Sequence, residues 1–125
     1  MTEILAERAR ERERLLELAR GYVRRLAERQ PVLAAAVVGS VARGDFNVWS
    51  DVDVVVVAES LPARAPERSL LLAADAPGGV QPIGFTPQEL AEARRRGNLL
   101  AEEALTSGVV LLGAELLRRI AAETA

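Results

Sequence analysis

No cysteine and no histidine occur among the 125 residues, and none of the 16 basic residues is a lysine. Without cysteine the chain has no disulfide, thiolate nucleophile or cysteine-ligated zinc. Without histidine it has no imidazole-based triad and no imidazole-ligated metal. The missing lysine rules out a lysine-dependent phosphate loop. Aromatic residues make up only 3% of the chain, so a core must be assembled from Ala, Val, Leu and Ile. There is no uninterrupted apolar run of bilayer length, and the opening Met-Thr-Glu lacks the apolar stretch of a secretory signal. The expected compartment is the cytoplasm, with no membrane partner. A net charge of −2 gives no general attraction to nucleic acid, and none is indicated as a partner. Chemistry here is left to carboxylates, hydroxyls, arginines, backbone dipoles and hard cations such as Mg²⁺.

The length suits a single domain, 1–125, read as an N-terminal helix over 1–30 and an α/β core over 31–125. Within the first segment, Leu15, Leu18, Ala19, Tyr22, Val23 and Leu26 recur at helical spacing, predicting a helix over 2–29 that Pro31 ends. The charged stretch Glu7–Arg14 ahead of them reads as a solvated extension or a partner surface. Val32–Val38 and Asp51–Ala58 are apolar runs of the kind that form buried strands. A short helix is expected over 67–74, and a third strand over 80–85 with Pro82 on an edge or at a bulge. Thr86-Pro87-Gln88-Glu89 has the form of a capped helix start, closed near Gly97. A second short helix capped by Asn98, a strand over 109–112 and a final helix from Gly113 complete a small mixed sheet flanked by helices.

The informative stretch runs from Val37 to Val57. Asp51 and Asp53 are two residues apart at a strand entrance, so their side chains share a face about 6.6–6.8 Å apart along the strand. Such a pair can converge on one metal ion or flank two. Placed beside valines, the carboxylates would raise each other's pKa, a cost that a bound cation removes. On the other side of the gap, Gly39 allows a sharp turn and close approach to a ligand. Ser40 supplies a hydroxyl and a helix cap. If 41–44 forms a first helical turn, its N–H groups suit phosphate, with Arg43 about one turn beyond Ser40. Phosphate donors beside metal carboxylates are the requirements of phosphoryl or nucleotidyl transfer.

Gly39-Ser40, ten residues, then Asp51-Val52-Asp53 resembles the signature of the polymerase-beta-like nucleotidyltransferases, in their minimal nucleotidyltransferase branch. The wider pattern is present as Gly39-Ser40-Val41-Ala42-Arg43-Gly44 and Ser50-Asp51-Val52-Asp53. Later stretches, Gly84–Glu89 and Ala104–Leu112, resemble the tail of that branch. The resemblance implies a single α/β domain of the polymerase-beta-like type with a long N-terminal helix. It implies Asp51 and Asp53 as catalytic metal ligands for Mg²⁺ (two ions), and Gly39, Ser40, Arg43 and Ser50 as nucleotide-binding residues. The implied activity is transfer of a nucleoside monophosphate from an NTP, with ATP expected, to a hydroxyl on a partner. That partner would be a small helical protein of the HEPN type, with this chain as the antitoxin of a toxin–antitoxin pair.

One position departs from the family pattern. Relatives carry a third carboxylate on the next strand, and the nearest residue here is Gln81, which cannot act as a base near neutral pH. Asp75 or Glu59 would have to approach from elsewhere to replace it. A catalytically degenerate module that binds nucleotide or a partner therefore stands as the alternative. Exposed apolar surface on the sheet or the first helix would also suit a homo-oligomer. Trp49 is expected to pack against its own domain, and Asp45 to be a loop residue. Arg94-Arg95-Arg96 is expected to complement a helix C-terminus.

Overall fold

The computed structural model describes residues 2–125. Helix α1 (Thr2–Ala27) leads into β1 (Val32–Val38), the short helix α2 (Gly39–Arg43) and β2 (Val52–Ala58). The chain continues through α3 (Ala65–Ala73), β3 (Val80–Phe85), α4 (Pro87–Arg95), α5 (Leu99–Thr106), β4 (Val109–Leu112) and α6 (Ala114–Thr124). Elements fall where the periodicity and the caps place them, with boundaries moved by a residue or two. On α1 the buried stripe is Leu15, Leu16, Ala19, Tyr22, Val23 and Leu26. Leu18, expected on that stripe, is only partly covered.

The four strands form one sheet in the order β3-β2-β1-β4. β1 runs antiparallel to both β2 and β4, while β2 and β3 are parallel. The architecture is thus the expected α/β domain, a mixed sheet flanked by helices. β1 and β2 occupy its centre with helices on both faces, which is why their sequences are continuous apolar runs rather than alternations. Ala35, Val37, Val52, Val54 and Val56 face α1, together with Leu72 of α3. Ala34, Ala36, Val38, Val55 and Val57 face Leu90 of α4, Ala101 and Ala104 of α5, and Leu117 and Ile120 of α6. Alanines along β1 let these helices lie close without aromatic fillers. Pro82 sits on β3, an outer strand of the sheet, where a missing ladder donor is tolerated.

The predicted capping box at α4 is formed: the Glu89 N–H donates to Thr86 Oγ1 at 3.2 Å, and the Thr86 N–H donates to Glu89 Oε1 at 2.9 Å. Arg94 does more than complement a helix end, donating to Glu102 at 2.9 Å and to the Ala121 carbonyl of α6 at 2.9 Å. After α5 the chain passes close to β1, and Gly108 makes that possible. A β-carbon there would lie 2.8 Å from the Val37 carbonyl oxygen and 3.0 Å from that of Glu103. The last turn of α5 is thereby held at the C-terminal end of β1. No helix among the described residues is long and apolar enough to cross a membrane.

Tyr22 joins two elements of the α1 face. Its ring is fully buried, and its hydroxyl donates to the Leu72 carbonyl at 2.8 Å. Burial, helped by the charge of Asp75, pushes the phenol well above its ordinary pKa, so it remains a donor. Tyr22→Phe should therefore lower unfolding free energy by about 1–2 kcal/mol, because the carbonyl loses its partner in a dry site. Urea unfolding of the two proteins checks this, and an unshifted midpoint would show that the bond contributes nothing net.

Candidate active site

Asp53 pairs with Val38 across the β1–β2 ladder. The same alternation that sends Val55 and Val57 toward α5 sends Asp53 to that face. Where β1 ends, the chain turns through Gly39 at φ +74° and enters α2. A β-carbon on Gly39 would lie 2.5 Å from Asp53 Oδ2. The glycine is therefore required twice, by its left-handed backbone and by the carboxylate packed against it. The turn and the Asp-Val-Asp segment, separated in sequence, are in direct contact in space.

The first turn of α2 differs in detail from the sequence expectation. Ser40 lies inside the helix and does not cap it. The cap position is Val38, which offers no side-chain acceptor. Instead the Gly39 N–H donates to Glu103 Oε1 at 3.0 Å, a bond reaching across 64 positions from α5. Glu103 is only 8% exposed, and its second oxygen accepts from Arg43 Nη1 at 2.8 Å. Arg43 also donates from Nε to Asp45 Oδ2 at 3.3 Å. Arg43 thus stands between two carboxylates of its own chain, one buried and one exposed. Asp45 is the loop residue expected.

The opposite end of α2 is also held by distant charges. Arg12 donates from Nε to the Val41 carbonyl at 2.9 Å and from Nη2 to that of Ala42 at 3.0 Å. Arg8 donates to the carbonyls of Gly44 and Phe46 at 3.1 and 2.8 Å, and its guanidinium lies 4.7 Å from the centroid of the Phe46 ring. The reading of Glu7–Arg14 as a solvated extension or partner surface is corrected at these two residues. Arg12 satisfies carbonyls that the short helix leaves unpaired, and Arg8 holds carbonyls at its cap and in the loop that follows. Arg8, Arg12 and Glu103 were not singled out in the sequence. No local signal marked the arginines, which alternate with glutamates in a run of nearly balanced charge.

Around this turn the remaining candidates divide. Asp51 is exposed just ahead of β2, and Asp53 is half-buried within it. Burial, then the charges of Asp51 and Glu103, push the Asp53 carboxyl above its ordinary pKa, with Arg43 opposing them. Gln81 lies beside Asp53 in the parallel β2–β3 register, on the strand where a third carboxylate was sought. Ser50 accepts from the Asn47 N–H at 2.9 Å and so shapes the 47–50 turn. Neither Asp75 nor Glu59 approaches the site. Asp75 is paired with Arg29 at 3.0 Å, and Glu59 follows the far end of β2. Trp49 does not pack against the domain as expected. It is 88% exposed, because Asn47 and Ser50 bond within the loop and hold it without the indole.

The donor set suits a hard cation held partly by the protein. No group of three potential ligating side chains forms among the described residues. Asp51 and Asp53 supply two carboxylates close enough for the charge of one to act on the other, and Mg²⁺ commonly takes one or two carboxylates with the rest of its shell from water and phosphate.

Residues 19–103, well over half the chain, match the family described as "Nucleotidyltransferase domain". No curated protein gives a significant match. Among solved structures, a candidate nucleotidyltransferase from Sulfolobus solfataricus superposes with a TM-score of 0.63 at 23% identity, covering 82% of this chain and 84% of its own. At that identity the likeness concerns the fold.

The raised pKa of Asp53 has a consequence for stability. An acid whose folded pKa lies above its unfolded value destabilises the fold as it ionises. That penalty is absent below the ordinary carboxylate range and complete once pH exceeds the folded pKa of Asp53. Asp53→Asn should therefore raise the melting temperature slightly at pH 7 and leave it nearly unchanged at pH 3, while removing any stabilisation by added Mg²⁺. Melting curves at the two pH values, with and without the ion, check the sign. A lower melting temperature at pH 7 would contradict it.

Proposed function

The chain belongs to the nucleotidyltransferase domain family, and on that premise we propose that it transfers a nucleoside monophosphate from an NTP to a hydroxyl on a partner protein. Members of the family typically use a divalent metal ion and a nucleoside triphosphate. The observation that carries the reading is the contact of Gly39 with the Asp53 carboxylate. It sets the glycine turn, with Ser40 and Arg43, next to the carboxylates at 51 and 53. In this reading Asp51 and Asp53 hold Mg²⁺, as one ion or two. Bound there, the metal would neutralise phosphate charge and polarise the phosphorus under attack.

The chain's own residues bind and orient. Ser40 and Arg43 face the phosphates of ATP, the expected NTP, and Ser50 keeps the entrance to β2 in shape. Transfer forms a bond from the acceptor oxygen to the α-phosphorus and breaks the bond to the β-phosphate oxygen, releasing pyrophosphate. The acceptor proton goes to water, since the Gln81 amide cannot take it near neutral pH. The acceptor belongs to a separate protein, a small helical one of the HEPN type, and the pair functions as toxin and antitoxin.

A second reading draws on Gln81. With an amide beside Asp53 and no group of three side chains able to hold a metal ion among the described residues, the chain would serve as a nucleotide- or partner-binding module without turnover.

Label transfer from α-labelled ATP to the partner separates the two readings. Enzymatic function predicts Mg²⁺-dependent labelling that Asp53→Asn reduces at least about a hundredfold, the scale of losing a principal electrostatic contributor. Gln81→Glu should increase it. Equal labelling by Asp53→Asn would refute the assignment. No labelling by either the wild type or Gln81→Glu, with nucleotide still bound, would favour the module.

A further inference from the structure

Glu103 is a buried carboxylate with a specific pair of partners, and neither the metal ligands nor the phosphate contacts proposed above include it. Its two oxygens are shared between the Gly39 N–H at 3.0 Å and Arg43 Nη1 at 2.8 Å. On the other side of the same glycine lies Asp53 Oδ2, where a β-carbon would fit only at 2.5 Å. Two carboxylates therefore flank one residue, and one guanidinium lies near both. Arg43 is half-exposed and, among the described residues, otherwise held only by Asp45, at 3.3 Å with that carboxylate 64% exposed. Such an exposed pair contributes little. Half-buried Asp53 is the stronger competitor for the cation, because its charge is less well solvated.

Resting on the nucleotidyltransferase reading, we infer that Glu103 is a positioning residue. By binding Gly39 and Arg43 together, it fixes the guanidinium beside the turn and prevents it from closing on Asp53, leaving Asp51 and Asp53 open to the divalent ion. Glu103 touches neither ion nor substrate in this scheme. It acts through Arg43, whose Nη2 donates to no group among the described residues. Without Glu103 the guanidinium pairs with Asp53 and competes with the metal.

A double-mutant cycle read by Mn²⁺ binding tests this on the full chain, using electron paramagnetic resonance of the free ion and no nucleotide. Loss of charge alone and loss of positioning give different patterns. If Glu103 merely adds negative potential, Arg43→Ala raises Mn²⁺ affinity by the same factor whether or not Glu103 is present. If Glu103 holds Arg43 away, Arg43→Ala changes affinity by about twofold or less in the wild-type background and raises it roughly fivefold or more beside Glu103→Ala, a coupling expected of residues in contact. Glu103→Gln keeps an oxygen acceptor for the Gly39 N–H and supplies a second cycle should Glu103→Ala not fold; the same pattern is expected there. Equal factors in the two backgrounds, or a Glu103 variant that binds Mn²⁺ as the wild type does, would overturn the inference. A wild type that binds no Mn²⁺ would be a different failure, removing the metal reading and the positioning role with it.

Discussion

Helix α2 is five residues long, too short to be stable by its own hydrogen bonds. It exists because charges from both ends of the chain hold it. Glu103 accepts from its first N–H, and Arg12 donates to carbonyls in its last turn. Each charge has the sign that complements the helix dipole at its end, a contribution of about 0.3–1 kcal/mol apiece at exposed sites and more where partly buried. The turn that follows β1 is thus stabilised by α1 on one side of the sheet and by α5 on the other. Everything proposed for the site depends on that turn keeping its place beside Asp53.

The three-layer arrangement explains how such distant residues meet. Because β1 and β2 are central, their ends lie where helices from both faces converge. Gly108 brings the end of α5 against β1, and strand alternation sends Asp53 to the same face. The result is an electrostatic imbalance, with Asp53 and Glu103 against Gly39, the charge of Asp51 acting on Asp53, and Arg43 as the near counter-charge. Glu103 is satisfied within the protein. In the proposed function the other two carboxylates take an outside cation, which would give the raised pKa of Asp53 a functional sense.

Much of this was legible in the sequence. Continuous valines announced the central strands, the Thr86–Glu89 box marked the start of α4, and the Gly-Ser and Asp-Val-Asp spacing pointed to a turn near a strand-entrance carboxylate, as the closeness of Gly39 to Asp53 has it. Pro82, which lacks a donor, was expected on an edge or at a bulge, and the sheet order puts it on an outer strand. What stayed hidden depends on tertiary proximity. Glu102 and Glu103 are adjacent and chemically equal, and only the phase of α5 decides that Glu103 turns inward while Glu102 pairs with Arg94. Arg8 and Arg12 belong to a run in which every second residue from Arg8 to Arg14 is basic, and local spacing does not reveal which of them will find carbonyls 29–38 positions away. Trp49 was misjudged because burial is the usual fate of an indole, whereas short polar bonds within its loop make that burial unnecessary.

Amide chemical-shift mapping with Mg²⁺ and a non-hydrolysable ATP analogue tests the central claim most directly. If the clamped turn and the Asp-Val-Asp entrance form one nucleotide site, perturbations will concentrate at residues 39–44 and 51–53 and will require the metal. Perturbations confined to another surface, or none at millimolar analogue, would contradict the account.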